Sequence, residues 1–203
     1  MKITVIVADA SPLITLAVAD ALDILLLPEV KVIIPDMVNF EVTRHINKQG
    51  AREIQEWIGL HQFKEVFLGS TETFNEFVII HELNPSVKSR NRGEMAAVEI
   101  LQMEINNGVD AAILLFEDSD IKKANFIARL PDNVLVMSTT TFLDGLQKMN
   151  LIASSDEILK KAVKIRGDDI LNREIIPMSN VEDLEESWTS SFCLDQNNRI
   201  FDN

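Results

Sequence analysis

The chain is expected to fold as an α/β protein, a mainly parallel central sheet of four to five strands flanked by helices on both faces. Two observations lead there. Short apolar runs, Ile3 to Ala8, Lys31 to Ile34, Ala111 to Phe116 and Val134 to Met137, alternate with longer stretches of helical periodicity. The first and third of these runs are almost unbroken in their hydrophobicity, which suits strands buried on both faces. Strands that alternate with helices in this way imply a mainly parallel sheet with helices on both faces.

The elements follow in order. After Ile3 to Ala8, Ser11-Pro12 opens a helix, with Ser11 expected at the N-cap and Pro12 at the first helical position. Leu13, Ile14, Leu16, Ala17, Ala21 and Leu22 then carry helical spacing, and Ile24 to Leu27 reads as a second short helix or turn that stops at Pro28. Lys31 to Ile34 is a strand bounded by Pro35, and Asp36 is expected to cap a helix running to about Asn47. Ala51 to His61 is a helix with Ile54, Trp57, Ile58 and His61 inward. Val66 to Leu68 reads as a short edge strand. Thr71 to Leu83 reads as a helix on the spacing of Phe74, Phe77, Val78 and His81, although the run Phe77 to Ile80 would also suit a strand, and Asn84-Pro85-Ser86 ends it. A basic loop, Lys88-Ser89-Arg90-Asn91-Arg92, leads into the clearest helix of the chain, Gly93 to Asn107, with Ala97, Val98, Leu101 and Ile105 as its stripe. After the strand at 111 come a helix from Ile121 to Leu130, the strand at 134 and a helix from Thr139 to Met149. Ser154 and Glu157 form a capping box for a last helix, to about Arg166.

Periodicity is lost from Pro177 onward. The division expected is an α/β domain over 1–176 and an acidic extension over 177–203, partly ordered at best, whose Trp188 and Phe192 are placed to dock on the body. A net charge of −13 argues against generic binding to polyanions, which demand compensating cations. No apolar run reaches the roughly 20 residues of a membrane span, the N-terminus lacks a signal-peptide pattern, and Cys193 is the only cysteine. A cytoplasmic location with no membrane association is the expectation.

Four acids stand where acids are expected only for a reason. Asp9 ends the first strand beside a helix start, where open α/β sheets hold ligands. Glu41 lies at i+3 from Val38 and i+4 from Met37, on the apolar stripe of its helix, with His45 four further on. Glu94 is in the first turn of its helix, in line with Ala97, Val98 and Leu101. Asp118 follows the third buried strand, with Glu117 and Asp120 beside it. Each has an ordinary alternative: Asp9 as half of a cap with Ser11, Glu41 paired with Arg44 or His45, Glu94 complementing a helix dipole, Asp118 or Asp120 capping the next helix. Together they point elsewhere, because converging carboxylates raise one another's pKa unless a cation lies among them. An all-oxygen ligand set suits Mg²⁺ or Mn²⁺. Such an ion assists phosphodiester hydrolysis. His45, His61 and His81 fall on apolar stripes and are read as packed.

The set resembles the PIN domain family. The matching stretches are Ala8-Asp9-Ala10-Ser11-Pro12-Leu13-Ile14, Val38-Asn39-Phe40-Glu41-Val42, Arg92-Gly93-Glu94-Met95-Ala96-Ala97 and Leu114-Leu115-Phe116-Glu117-Asp118-Ser119-Asp120. The run from Ser138 to Leu146 is similar to the family's last strand-to-helix junction, and the likeness spans about residues 3–165. It implies a three-layer α/β/α fold and a Mg²⁺- or Mn²⁺-dependent ribonuclease, often the toxin of a toxin–antitoxin pair and commonly a homodimer. On that reading Asp9, Glu94 and Asp118 bind metal and Glu41 holds a metal-bound water or a second ion. Ser11 and Thr140 support them, and Lys88, Arg90 and Arg92 form a phosphate rim for single-stranded RNA, with a solvated basic turn as the equal alternative for that loop. Many members read Thr-Asp-Asp or Thr-Arg-Asp at the fourth acid, where this chain reads Phe-Glu-Asp-Ser-Asp. Asp118 is favoured as the ligand and Asp120 is the alternative.

Two other functions stay in view. The net charge, the altered fourth motif and the acidic extension fit a PIN-like module that binds a partner without cutting. A receiver-like phosphoacceptor also uses strand-end acids, but it needs paired acids after the first strand and a lysine after a late strand. Ala8-Asp9 supplies one acid, and Val134 to Ser138 has no lysine.

Overall fold

Five parallel strands form one sheet in the order β3-β2-β1-β4-β5: β1 Ile3–Ala8, β2 Lys31–Pro35, β3 Val66–Gly69, β4 Ala111–Leu115 and β5 Val134–Met137. The computed structural model describes residues 2–89, 91–117, 129–167 and Trp188. The expected helix over 121–130 lies, save its last two residues, outside that set. β1 is central, with Val5, Ile6 and Val7 opposite Lys31, Val32 and Ile33 on one side. On its other side Ile6, Val7 and Ala8 face Ile113, Leu114 and Leu115.

The order carries a consequence for function. From β1 the chain steps outward through β2 to β3, then crosses back to lay β4 on the opposite side of β1. The connections therefore diverge between β1 and β4, and the crevice beyond the C-terminal ends of those two strands is the switch point where open parallel sheets bind ligands. Asp9 leaves β1 there, its backbone N–H bonded to the Leu115 carbonyl at 3.0 Å.

Seven helices accompany the sheet among the described residues: α1 Ala10–Val18, α2 Asp36–Thr43, α3 Ala51–His61, α4 Glu72–Leu83, α5 Arg92–Asn106, α6 Thr139–Lys148 and α7 Ser155–Arg166. Strand alternation divides the apolar side chains between two cores. Ile6, Ala8, Ile113, Leu115, Leu135 and Met137 point to one face, where Leu13, Leu16, Trp57, Phe142, Leu146 and Leu159 of α1, α3, α6 and α7 cover them. Val5, Val7, Ile33, Ala112 and Leu114 point to the other, under Ala97, Ile100 and Leu101 of α5. A smaller cluster of Met37, Phe77 and Ala96, with Phe40, Phe74 and Val87 beside it, joins α2, α4 and α5.

Most elements lie where the sequence places them, with corrections at helix starts. Ser11 is not the N-cap of α1; Asp9 holds that position, with Ala10, Ser11 and Pro12 in the first turn, where proline's missing N–H has no partner to lose. Pro35, not Asp36, is the N-cap of α2, which ends at Thr43, short of Asn47. Asp36 instead ties two helices together. Its Oδ1 accepts from Met37 N–H at 2.8 Å and from the Thr71 hydroxyl at 2.7 Å, and its Oδ2 from Thr71 N–H at 2.8 Å. Thr71 caps α4 in turn, which confirms the helix read at 71–83. Ile24 to Leu27 falls at a 3-10 turn, Leu22–Leu26.

Of the acidic extension, Trp188 docks as expected. It is 1% exposed and stacks on Phe142 of α6, ring centroids 5.8 Å apart. Gly145 makes the slot: a Cβ there would stand 1.8 Å from Cζ2 of Trp188. Phe192 and the rest of 177–203 lie outside the described residues. No described helix is long and apolar enough to cross a membrane. Gly145→Ala is expected to expel the indole and cost about 1–3 kcal/mol, as overpacking does. Trp188→Ala should cost about 3–5 kcal/mol. Urea unfolding measures both losses, and in Gly145→Ala the tryptophan emission should shift to the red.

Candidate active site

Three of the acids singled out in the sequence meet at the switch point. Asp9 stands at the N-cap of α1 with extended backbone, yet its side chain makes no capping hydrogen bond. A carboxylate at an N-cap ordinarily accepts from the first turn, so the cap does not account for Asp9. Glu41 is half-buried on α2, on the same helix face as the buried Met37 and Val38. Glu94 is the third residue of α5.

Gly93 explains how they come together. A Cβ added to Gly93 would lie 3.2 Å from Glu41 Oε2, 3.5 Å from Asp9 Oδ1 and 3.6 Å from Val38 Cγ2. The first turn of α5 therefore rests directly on both carboxylates, and any side chain at 93 would crowd them. The Gly-Glu pair acts as one unit: glycine admits the turn, and Glu94 follows it into the site.

Electrostatics report the same convergence. Burial raises the Glu41 carboxyl above its ordinary value, and the negative charge of Glu94 adds to the rise; a hydrogen bond from the Ser89 hydroxyl and the charge of Arg44 oppose it. Ser89 belongs to the basic loop and was not signalled by the sequence. Its hydroxyl fastens that loop to Glu41. The pairing of Glu41 with Arg44 holds in part, but it does not offset desolvation.

Cations gather around these acids despite the net charge. The Arg44 guanidinium lies 5.3 Å from the Phe40 ring centroid and that of Arg92 5.4 Å from Phe77. Lys88 is exposed on the loop, and Arg90 lies outside the described residues. His81 packs on Phe77 at 5.2 Å and His61 on Trp57 at 5.5 Å, as read from their stripes. His45 is instead exposed, because α2 ends before reaching it.

The fourth acid, Asp118 or Asp120, lies outside the described residues. Glu117 just precedes it and is 4% exposed, its Oε2 accepting from the Thr15 hydroxyl at 3.2 Å. Ser11 contributes its carbonyl, which accepts from Arg166 at 2.9 Å. Thr140 is half-buried, whereas Thr139 is fully buried and its hydroxyl has no hydrogen-bond partner among the described residues. Among the described residues no group of three or more His, Cys, Asp or Glu side chains is placed to hold a metal ion.

A family model described as PIN domain matches residues 5–122, more than half of the chain. The chain belongs to the PIN domain family. The match includes Asp9, Glu41, Glu94 and Asp118, and the five-stranded parallel sheet with helices on both faces is the fold expected of it. Neither the curated proteins nor the solved structures contain a match to the chain. PIN domains are nucleases as a family and typically use divalent metals, so membership places this chain among hydrolases of nucleic acid at that coarse level.

The raised Glu41 carboxyl sets a pH dependence. A group that binds its proton more tightly when folded destabilises the fold where it must be ionised, above its folded pKa. Stability is regained as pH falls through that value towards the ordinary glutamate range. Without metal, Glu41→Gln is expected to melt above wild type at pH 7, and the gap should close as pH falls to about 4. Paired melting curves in EDTA across this range test it; a gap that widens on acidification contradicts the assignment.

Proposed function

We propose that the chain is a Mg²⁺- or Mn²⁺-dependent ribonuclease that hydrolyses phosphodiester bonds in single-stranded RNA. The observation that carries the reading is that Asp9 and Glu41 both lie against Gly93 while Glu94 and Glu41 repel each other, a half-buried group of acids. Their donors are all carboxylate oxygens, which fit a hard divalent cation and relieve that repulsion by binding one. Asp9 and Glu94, with Asp118 after β4, would hold the ion. A bound ion of this kind supplies Lewis acidity at a phosphoryl oxygen and acidifies water.

The chain's own groups have distinct tasks on this reading. Glu41 takes the proton of the attacking water on its carboxylate, which lies beside the other acids and accepts from Ser89. Ser89 orients that carboxylate. Lys88 and Arg92, with Arg44 added by the structure, hold the RNA phosphates, and Arg90 is assigned to the same rim from sequence. Their concentration beside the acids is what allows so acidic a chain to approach a polyanion. Asp120 is the alternative to Asp118, and Thr140 and Ser11 keep supporting roles. The toxin role, with an antitoxin partner and a homodimer, extends to this chain from the family resemblance alone. A small upstream gene encoding a DNA-binding head and an acidic or arginine-bearing tail would support it.

Asp9→Asn should retain the wild-type fold and lose Mn²⁺-dependent cleavage of single-stranded RNA by about 100-fold or more, the scale on which one preorganised charged group acts. Calorimetric titration with Mn²⁺ should show saturable binding that Glu94→Gln abolishes. Wild-type protein that binds no Mn²⁺ would instead favour an interaction module without nuclease activity.

A further inference from the structure

One guanidinium near the end of the described body grips both strand exits that lead into the site. Arg166 is the last residue of α7, and its side chain is 13% exposed. Its Nη1 donates to the Ser11 carbonyl at 2.9 Å and to the Thr15 hydroxyl. The same atom is 3.9 Å from Glu117 Oε2, and the Thr15 hydroxyl donates to that oxygen at 3.2 Å. Thr15 is fully buried and the Glu117 side chain is 3% exposed.

These partners are not an arbitrary set. Ser11 is two residues past Asp9, on the exit from β1. Glu117 is two residues past the end of β4 and one before Asp118. Alternation along β4 sends Leu115 to the α1 and α7 face and Phe116 to the α5 face, so Glu117 returns to the α1 and α7 face, where Thr15 and Arg166 receive it. A glutamate fixed there sets the direction in which the backbone leaves the sheet at residue 117. A buried ion pair seldom adds net stability, because desolvation offsets attraction; its better-attested use is to specify one arrangement.

We infer that Arg166 is a positioning residue: through Ser11, Thr15 and Glu117 it holds the β1 and β4 exits in the relative register that the carboxylate site requires. Helix α7 thereby becomes part of the active-site scaffold, although it lies beyond the segment that matches the family model. The consequence for metal affinity rests on the ribonuclease reading above; the consequence for the strand exits does not.

The test uses the full chain. Arg166→Met leaves Glu117 buried without its cation and is prone to unfold, so the informative variant is Arg166→Met with Glu117→Gln, which removes both charges and keeps shape. Hydrogen exchange on metal-free protein reads the exits directly. The amides of Asp9, Leu13 and Phe116, bonded to Leu115, Asp9 and Met137 carbonyls, should exchange at least about tenfold faster than in wild type, while those of Ile6 and Val7 in mid-strand stay unchanged. Unchanged exchange at the three exit amides overturns the inference. Mn²⁺ titration supplies the second arm: dissociation constants about 10–100-fold weaker are expected, the usual effect of losing a group that orients ligands. Wild-type protein that fails to bind Mn²⁺ sinks the metal reading, and the exchange result then decides the latch by itself. Arg166→Lys should restore part of both effects, since an ammonium keeps the charge and loses the fork.

Discussion

Parallel pairing on both sides of β1 is the constraint on which the rest of the structure depends. A strand flanked by β2 and β4, with both faces covered, has no water to satisfy its backbone and little room for polar side chains. Polar chemistry is therefore pushed to the end of the strand, and the reversal of strand order opens a crevice there. Asp9 is the first residue past that apolar segment. The two other acids reach it from helices that cover opposite sides of the crevice, α2 near the β2 exit and α5 across the facing core.

Within that frame the site is built by removing atoms as much as by placing them. Gly93 lets α5 settle on Glu41 and Asp9, and the cost of bringing carboxylates together is visible in the raised Glu41 carboxyl. Ser89 and Arg44 moderate it without cancelling it. The arginines that flank the acids, Arg44 and Arg92, sit over Phe40 and Phe77.

The C-terminal third contributes support in two places. Phe142 and Gly145 accept Trp188 on the α1 face, and Arg166 joins the exits of β1 and β4. Both contacts span more than forty residues of chain. They tie the body to segments outside the stretch that defines the family.

Strand positions, the helix at 71–83, the family and the three converging acids could all be read from the sequence. Each rests on periodicity or on a short local pattern: alternation, an apolar run, a glutamate on the wrong face of a helix. Helix starts were misread at Ser11 and Asp36 because a good capping residue also has other uses, and only the fold shows that Asp36 spends its carboxylate on Thr71. Ser89 and Arg166 gave no local signal, and Arg44 was legible only as one of two neighbours of Glu41. Their roles follow from which loop lies on Glu41 and which helix end reaches the strand exits, and those neighbours are set by packing between distant segments. The acids and the places of the strands along the chain were the sequence's to determine; the order of the strands in the sheet, the gap at Gly93, the charge balance at Glu41 and the grip of Arg166 were decided by tertiary structure, since each depends on how separate elements approach.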